Sequence, residues 1–222
     1  MKPAPRIGVF FDRDGTLTVD DEGYVGDPDR LVPRPEAREA VQLLKAAGAF
    51  VFLATNQSGV ARGLFDEAAV ARVNARLEEL LGVRFDAVYV CPHHPTEGAA
   101  PYRAMCRCRK PEPGLLERGL SDWRLKAEDC YVVGDAARDV LAGRRLGLRT
   151  VLLLNGRNSD DPPAAPDHAT NSLTDAARWV LADAKESQTM MELIIKQLKE
   201  SAAVKLAMVE KNAADIARAA EV

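Results

Sequence analysis

The sequence predicts an α/β protein built on a parallel sheet with helices on both faces. Short apolar segments alternate along the chain with longer segments in which apolar residues recur every three or four positions, as in amphipathic helices. The short segments are apolar at nearly every position, which is typical of strands buried on both faces. Polar residues follow several of these segments directly, at the sheet edge where ligands bind in such folds.

Local signals define the individual elements. Gly48 ends the first predicted helix, Asp66 caps the second, and Gly147 ends a short helix between the last two strands. The predicted strands cover residues 7–11, 50–54, 86–90, 131–133 and 150–154, and the predicted helices cover residues 35–47, 66–81, 140–146 and 172–182. Residues 155–170 are rich in Pro, Asp and Asn, so we expect an exposed connection there.

The C-terminal part of the chain has a different character. Beyond about residue 186 there is no Gly or Pro, and apolar residues recur in steps of three and four, which predicts one long amphipathic helix. Its basic and acidic residues balance. We therefore expect a domain over residues 1–185 and a separate helix over 186–222. The apolar stripe of that helix needs a partner, either the first domain or another copy of the chain.

Composition excludes several classes of protein. The chain has 222 residues, with 30 Lys and Arg against 33 Asp and Glu, and a formal net charge of −3. This balance lacks the basic surplus that binds nucleic acid or anionic membranes, so we expect neither partner. No apolar run reaches the roughly 18 to 20 residues of a membrane span, and the N-terminus lacks the apolar core of a signal peptide. These features favour a cytoplasmic protein.

Two carboxylates follow the first predicted strand. Asp12 and Asp14 are separated by one residue, and Gly15 allows a tight turn after them. Carboxylates this close repel each other unless a cation lies between them, and Mg²⁺ is the natural cation for such a pair. Because Mg²⁺ also recruits phosphate oxygens, the pair indicates phosphoryl chemistry. The alternative is a solvated acidic turn.

Three of the four cysteines cluster around two histidines. Cys91-x-His93 and Cys106-x-Cys108 provide three thiolates and one imidazole, enough to close a tetrahedral zinc site, and a closed site is structural. His94 is an alternative ligand, and free thiols beside surface histidines are the alternative to a metal site. Cys130 precedes a predicted buried strand and is interpreted as a packed small apolar residue.

The polar segments together resemble the four motifs of the haloacid-dehalogenase (HAD) superfamily of phosphatases. The motifs are Asp12-x-Asp14, Thr55-Asn56, Lys110, and Gly134-Asp135 with Asp139, and the resemblance spans roughly residues 7–183. It implies a HAD-like Rossmannoid sheet. No insertion between the first two motifs is large enough for a cap domain, so we expect a compact enzyme with an open site and a zinc-stapled loop.

The resemblance also assigns roles to the motif residues. Asp12 is expected to attack phosphorus and form an aspartyl-phosphate, and Asp14 to act as general acid and then general base. Thr55 and Lys110 are expected to neutralise charge on the phosphoryl oxygens.

The same resemblance implies two metal ions. Mg²⁺ is expected at Asp12, Asp14 (through its backbone carbonyl) and Asp135, with Asp139 orienting its neighbours. Zn²⁺ is expected at Cys91, His93, Cys106 and Cys108, where the family pattern favours His93 over His94.

Within the superfamily, the motifs resemble the heptose bisphosphate phosphatases, which act in the synthesis of nucleotide-activated heptose for lipopolysaccharide. Glu22 lengthens the turn after the first motif by one residue, and Ala136 replaces a lysine found in some relatives. A small phosphorylated sugar is the implied substrate, gripped at its second phosphate by Arg109. The implied substrate-binding residues are Arg13, Asp20, Gly23, Tyr24, Asn56, Gln57, Ser58 and Arg109.

Three alternatives remain open at this stage. Histidinol-phosphate phosphatases share the first motif and the zinc ligands, but they resemble the chain less in the second motif. A non-catalytic, zinc-stabilised binding module with an oligomerising helix is the alternative from another class. The segment from Met191 weakly resembles the opening helix of phosphoheptose isomerases, which would make it the start of a fused isomerase rather than an accessory helix.

Overall fold

The computed structural model describes residues 6–19, 23–154 and 165–219. Its centre is a fully parallel six-stranded sheet with strand order β3-β2-β1-β4-β5-β6, which confirms the predicted fold class. The strands are β1 (Gly8–Phe11), β2 (Phe50–Asn56), β3 (Ala87–Cys91), β4 (Cys130–Gly134), β5 (Arg149–Leu153) and β6 (His168–Thr170). Central β1 pairs with β2 on one side and β4 on the other, and β3 lies at an edge.

In the described part of the chain, five α-helices connect the strands or follow them. They are α1 (Ala37–Ala46), α2 (Glu67–Leu81), α3 (Gly114–Trp123), α4 (Ala137–Arg144) and α5 (Leu173–Ala219), with 3-10 turns at Pro28–Arg30 and Ala127–Asp129. Asp66 caps α2 by accepting a hydrogen bond from the Ala69 amide, and Gly82 ends it in the left-handed conformation. No helix in these described segments is long and apolar enough to cross a membrane.

Alternating strand residues bury both faces of the sheet. On one face Phe10, Phe52 and Val132 pack with Leu115 and Leu116 of α3. The sulfur-bearing residues Cys91, Cys106 and Cys108 belong to or border this cluster, so the base of the predicted zinc loop is attached to the core.

The opposite face carries α1, α2 and the first turns of α5. Tyr131 of β4 meets Trp179 edge-on, with ring centroids 6.1 Å apart, and Glu36 before α1 accepts a hydrogen bond from the Leu173 amide at 2.7 Å. Ala177 and Val180 are buried in the same region. These contacts fix the first turns of α5 on the sheet.

The structure differs from the predicted elements in three places. Helix α3 was not predicted. Residues 168–170, expected in a connection, form edge strand β6, while residues 155–164 of that connection lie outside the described part of the chain. The two predicted C-terminal helices are one continuous helix, because residues 183–187 contain neither Gly nor Pro. The chain divides into two compact units, Met1–Leu181 and Ala182–Val222.

Candidate active site

The polar residues of the four motifs lie at the carboxyl ends of neighbouring strands. Asp12 follows β1, Thr55 and Asn56 end β2, Cys91 ends β3, and Gly134 ends β4. Since parallel strands end at the same edge of a sheet, one surface receives all of these residues. A cavity of about 340 Å³ opens there, lined by Asp12, Asp14, Gly23, Tyr24, Asn56, Gln57, Ser58, Arg109 and Arg138.

Asp12 lies at the wall of this cavity with 3% of its surface exposed. Its Oδ1 accepts a hydrogen bond from the Arg13 amide at 2.8 Å and lies 3.1 Å from Nζ of Lys110. Its Oδ2 lies 3.8 Å from Nη2 of Arg138. Burial alone would raise the pKa of Asp12, but the positive charges of Lys110 and Arg138 outweigh it and lower the pKa below its ordinary value. Asp12 is therefore an ionised carboxylate.

Lys110 is buried, and three oxygen atoms hold its ammonium group. Nζ donates to the Ala54 carbonyl at 2.6 Å and lies 2.6 Å from Oδ1 of Asp139 and 3.1 Å from Oδ1 of Asp12. Burial would lower the pKa of Lys110, but the charges of Asp12 and Asp139 raise it above its ordinary value. The ammonium is thus a permanent, fixed positive charge beside Asp12.

Asp14 is oriented by its neighbours. Nε of Arg13 lies 2.8 Å from Oδ1 of Asp14, and Nε2 of Gln57 donates to Oδ2 of Asp14 at 2.7 Å and to the Thr55 hydroxyl at 2.9 Å. Gln57 accepts a hydrogen bond from Nη2 of Arg13, and Asn74 of α2 accepts one from Nη1. This network sets the direction in which the Asp14 carboxylate faces the cavity.

Arg13 lies behind Asp14, away from the cavity. Its side chain is fully buried, its guanidinium is engaged by Asp14, Gln57 and Asn74, and it is not among the residues that line the cavity. Thr55 is also buried and does not line the cavity. Gly23, Tyr24, Asn56, Gln57, Ser58 and Arg109 all line the cavity, as a substrate-binding role requires. Asp20 lies outside the described residues.

Three carboxylates form a group suited to a divalent cation. One oxygen from each of Asp12, Asp135 and Asp139 lies within 4.8 Å of the other two. Asp135 packs tightly against the turn after Asp14: a Cβ at Gly15, which has a φ of +80°, would lie 2.2 Å from Oδ2 of Asp135. Oxygen ligands in this number suit Mg²⁺, which completes its octahedron with water and phosphate oxygens. The residues present therefore fit the expected ion.

Asp139 is fully buried within this group. Burial raises its pKa, the negative charge of Asp12 adds to that effect, and the positive charge of Lys110 only partly offsets it. Because Asp139 also pairs with Lys110, it connects the carboxylate group to the buried ammonium. It therefore lies among the three carboxylates that could hold a cation, and it also contacts Lys110, as the expected orienting role requires.

The predicted zinc ligands converge on one point. The sulfur atoms of Cys91, Cys106 and Cys108 lie 3.2–3.6 Å apart, and Nδ1 of His93 lies 3.4 Å from the Cys108 sulfur and 3.8 Å from the Cys91 sulfur. Zinc–sulfur bonds of about 2.3 Å give a tetrahedron with edges of about 3.8 Å. The sulfur atoms lie somewhat closer together than that, so the four groups fit a zinc ion after a small outward movement of the sulfur atoms.

His94 has a different environment. Its Nδ1 accepts hydrogen bonds from the Thr96 and Glu97 amides, and its Nε2 lies 3.4 Å from Nη2 of Arg62. The ring therefore organises the loop after β3, while His93 faces the three sulfur atoms. Arg62 also lies over the Tyr24 ring at 5.2 Å, so it joins this loop to the cavity wall.

The sequence reasoning missed two residues near the site. Arg138 lines the cavity beside Asp12, and Asn74 anchors Arg13 from α2. Arg138 could have been found from the sequence, because it lies between the two acidic residues Asp135 and Asp139. The first turn of a helix that follows a strand end faces the site. The sequence around Asn74 carries no comparable signal, because it lies among ordinary helical residues.

Comparisons with known proteins agree with this geometry. A family model described as HAD-hydrolase-like matches residues 107–176. The chain is 37% identical over 177 residues to the D-glycero-beta-D-manno-heptose-1,7-bisphosphate 7-phosphatase of Pasteurella multocida, covering 78% of this chain and 95% of that protein. The enzyme of the same name from Escherichia coli K12 is 34% identical over 185 residues, covering 81% and 96%.

A solved structure is similar over a comparable share of the chain. The D,D-heptose 1,7-bisphosphate phosphatase of B. bronchiseptica, crystallised with magnesium and phosphate, superposes with a TM-score of 0.70 at 31% identity, covering 80% of this chain and 99% of that one. Sequence and structure therefore identify the same relatives. The chain belongs to the D-glycero-D-manno-heptose 1,7-bisphosphate 7-phosphatase family of HAD-like hydrolases.

Proposed function

We propose that the protein removes the 7-phosphate of D-glycero-D-manno-heptose 1,7-bisphosphate through an aspartyl-phosphate intermediate. The observation that carries this proposal is the environment of Asp12. It is an ionised carboxylate at the wall of a polar cavity, with one oxygen beside the buried ammonium of Lys110 and the other beside Arg138. The family relationship supplies the substrate, since the relatives are named for this bisphosphate.

In the first step Asp12 attacks the phosphorus atom. A bond forms between a carboxylate oxygen of Asp12 and phosphorus as the bond from phosphorus to the sugar oxygen breaks. Asp14, held by Arg13 and Gln57, gives its proton to the departing oxygen, so that the sugar leaves as an alcohol. Lys110 stabilises the negative charge on the phosphoryl oxygens.

In the second step water hydrolyses the aspartyl-phosphate. Asp14, now a carboxylate, takes a proton from the water as its oxygen bonds to phosphorus, and the bond from phosphorus to Asp12 breaks. Orthophosphate leaves, and both aspartates return to their starting states. Since Asp14 alternates between acid and base, the hydrogen bonds that fix its direction serve both steps.

Asp12, Asp135 and Asp139 are the residues that would hold Mg²⁺, together with the backbone carbonyl of Asp14. When bound, this ion supplies charge neutralisation at the phosphoryl oxygens. The protein's own contribution is to keep two of these carboxylates close to Lys110, which limits their mutual repulsion. A magnesium ion accompanies the related phosphatase of B. bronchiseptica.

A structural zinc ion is proposed at Cys91, His93, Cys106 and Cys108. The loop between the first and last of these residues leads directly into Arg109 and Lys110, and Nη1 of Arg109 donates to the His93 carbonyl at 3.2 Å. Closing the four ligands around zinc would therefore hold Arg109 at the cavity. We assign Arg109 to the second phosphate of the substrate, because its planar fork matches phosphate oxygens.

A substrate panel and a nucleophile variant test the proposed function. The panel contains α- and β-heptose bisphosphates, histidinol phosphate and fructose bisphosphate, with phosphate release as the readout. We expect a heptose bisphosphate to have the highest kcat/KM. Preference for histidinol phosphate would favour the alternative phosphatase, and absence of turnover on every substrate would favour the binding module.

The variant Asp12→Asn removes the attacking charge while keeping the shape of the side chain. We expect it to keep its fold and lose at least about a thousandfold in kcat, because the covalent step needs a carboxylate. The matched control Asp29→Asn changes an exposed aspartate away from the cavity and should keep full activity. Appreciable turnover by Asp12→Asn would falsify the role of Asp12.

The second unit, Ala182–Val222, presents a wide apolar surface, and we propose that it binds a second copy of the chain. Its exposed apolar residues include Met191, Ile194, Leu198 and Leu206. At about 100° per residue, the large apolar residues between 190 and 209 cover roughly 220° of the circumference, more than the about 100° of a two-helix seam. This width favours a helical bundle.

Light scattering on the double variant Ile194→Glu/Leu198→Glu tests the self-association. Wild type should be oligomeric and the double variant monomeric, while the control Lys199→Ala on the charged side of α5 should remain oligomeric. A monomeric wild type would exclude self-association and favour the fused-isomerase alternative.

A further inference from the structure

Arg138 is a positive charge beside Asp12 that the sequence analysis did not assign, although it lies between Asp135 and Asp139 of the fourth motif. It is the second residue of α4, and its side chain lines the cavity with 45% of its surface exposed. Nη2 lies 3.8 Å from Oδ2 of Asp12, within ion-pair range but too far for a hydrogen bond. None of the hydrogen bonds found among the described residues uses its guanidinium.

The two oxygens of Asp12 have different surroundings. Oδ1 accepts a hydrogen bond from the Arg13 amide and lies beside the buried ammonium of Lys110. Oδ2 lies beside the exposed guanidinium of Arg138 at the cavity. Oδ2 is therefore assigned as the oxygen that attacks phosphorus, and Arg138 is the side-chain cation that the structure places beside it.

Lys110 and Arg138 also differ in how they are held. The ammonium of Lys110 is buried and held by Ala54, Asp12 and Asp139. Arg138 is half-exposed and only loosely paired with Asp12. When Oδ2 of Asp12 becomes part of an acyl phosphate, its negative charge passes to the phosphoryl oxygens, and the loosely paired guanidinium is the one that can turn towards that charge.

We propose that Arg138 is a phosphate-binding residue for the transferring phosphoryl group. Its guanidinium fork moves from Oδ2 of Asp12 to two phosphoryl oxygens as the new bond forms, while Lys110 stays beside Oδ1. This inference rests on the proposed function for the reaction at Asp12 and adds a residue to it. A planar guanidinium suits the task because it binds two phosphate oxygens at once.

The competing role for Arg138 is contact with the second phosphate of a bisphosphate. The distance to Asp12 argues against it, since the second phosphate must lie the length of a sugar away from the attacking oxygen. Arg109, held at the His93 carbonyl on another wall of the cavity, is available for that phosphate. The two roles predict different results with a monophosphate substrate.

The experiment compares Arg138→Ala and Arg138→Lys with the control Arg144→Ala, an exposed arginine of the same helix. Each magnesium-loaded enzyme is assayed with p-nitrophenyl phosphate and with heptose bisphosphate, and the inhibition constant of orthophosphate is measured. For Arg138→Ala we expect about a 10- to 100-fold loss of kcat/KM on both substrates and a similarly weakened inhibition by orthophosphate. Arg138→Lys should lie between this variant and wild type, and Arg144→Ala should match wild type.

Chemical rescue separates phosphate binding from a structural role. Added guanidinium should restore part of the p-nitrophenyl phosphate turnover of Arg138→Ala and should not stimulate Arg144→Ala. A loss confined to heptose bisphosphate, or unchanged orthophosphate inhibition, would overturn the proposal. Because p-nitrophenyl phosphate reports on the chemistry at Asp12 alone, the result stands even if heptose bisphosphate proves to be the wrong substrate.

Discussion

Asn56 and Lys110 hold each other through a reciprocal pair of hydrogen bonds. Nδ2 of Asn56 donates to the Lys110 carbonyl at 3.0 Å, and the Lys110 amide donates to Oδ1 of Asn56 at 3.1 Å. The end of β2 is thereby attached to the loop that carries the buried ammonium, although the two residues are 54 positions apart in the sequence. Asn56 thus both lines the cavity and fixes the backbone of Lys110.

Replacing Asn56 tests this positioning. Asn56→Ala leaves the Lys110 amide and carbonyl without their partners, and we expect kcat to fall about 10- to 100-fold because small displacements of catalytic groups are costly. A residue that only contacts substrate would raise KM instead. Steady-state kinetics on p-nitrophenyl phosphate separates the two, with Asn212→Ala in the C-terminal helix as the control. A rise in KM at unchanged kcat would contradict the positioning role.

The thiol of Cys108 should be the reactive one when zinc is removed. Its hydrogen bond with Cys91 lowers its pKa to about 5, against the opposing effect of burial and with further help from Cys106 and His93. Burial raises the pKa of Cys130 to about 12. Near neutral pH, iodoacetamide should therefore label Cys108 first and leave Cys130 unmodified, as read by peptide mass spectrometry.

The pH dependence of this labelling follows from the lowered pKa. The thiolate of Cys108 persists until the pH falls through about 5, so its labelling should remain nearly constant from neutral pH down to that value. Adding zinc back should protect it. Labelling of Cys130 at the same rate, or labelling of Cys108 only in alkali, would contradict the expectation.

Helix α3 packs too closely on the sheet to accept a side chain at Gly119. A Cβ there would lie 2.4 Å from the Phe10 ring. Alanine improves helix propensity by about 1 kcal/mol, but overpacking costs about 1–3 kcal/mol. We expect Gly119→Ala to lower the free energy of unfolding by about 1 kcal/mol in urea titrations. Ser121→Ala, exposed on the same helix, should be neutral or stabilising; equal stability of the two variants would disprove the clash.

The contribution of Asp139 to the free energy of unfolding should decrease as the pH rises. Its pKa is raised in the folded protein, first by burial and then by Asp12, so the folded state binds this proton more tightly than the unfolded chain. Its stabilising contribution is present below the unfolded pKa of about 4 and is lost as the pH rises through the folded value. The side chain introduced by Asp139→Asn does not titrate, so this variant should not lose stability at that position as the pH rises.

Thermal unfolding in magnesium-free buffer measures this effect. The Tm of Asp139→Asn relative to wild type should increase from about pH 4 to neutral pH. Its activity should fall, because Lys110 loses one of its partners. A Tm difference that is constant with pH, or that moves in the opposite direction, would show that burial does not raise the pKa of Asp139.

The sequence predicted the central elements because their signals are local. Continuous apolar runs predicted β1, β2 and β4, and Asp66 marked the start of α2. Strand β6 has only three residues, His-Ala-Thr, and forms by pairing with β5, a non-local interaction that no pattern within the segment reveals. The continuity of α5 was not predicted, because a polar segment without Gly or Pro is compatible with both a helix and a linker.

The candidate site shows the same limit. Spacing and motif order identified Asp12, Asp14 and Lys110. They do not indicate which residues form hydrogen bonds or ion pairs with each side chain. The burial of Arg13 depends on Asn74 and Gln57, which reach it from different parts of the chain. The closeness of Arg138 to Asp12 depends on how α4 leaves β4, which is a property of the fold.

The loop after Cys91 departs from β3, the outermost strand of the sheet. Its two ends lie together at the cluster formed by Cys91, His93, Cys106 and Cys108. The intervening residues therefore form a loop that is closed at its base. Strand β3 has only one neighbour in the sheet, and changes between the ligands leave the pairing of the inner strands untouched. The fold thus separates the residues between the predicted zinc ligands from the inner strand ends that carry the catalytic residues, which offers protein engineers a segment to vary without rebuilding the reaction site.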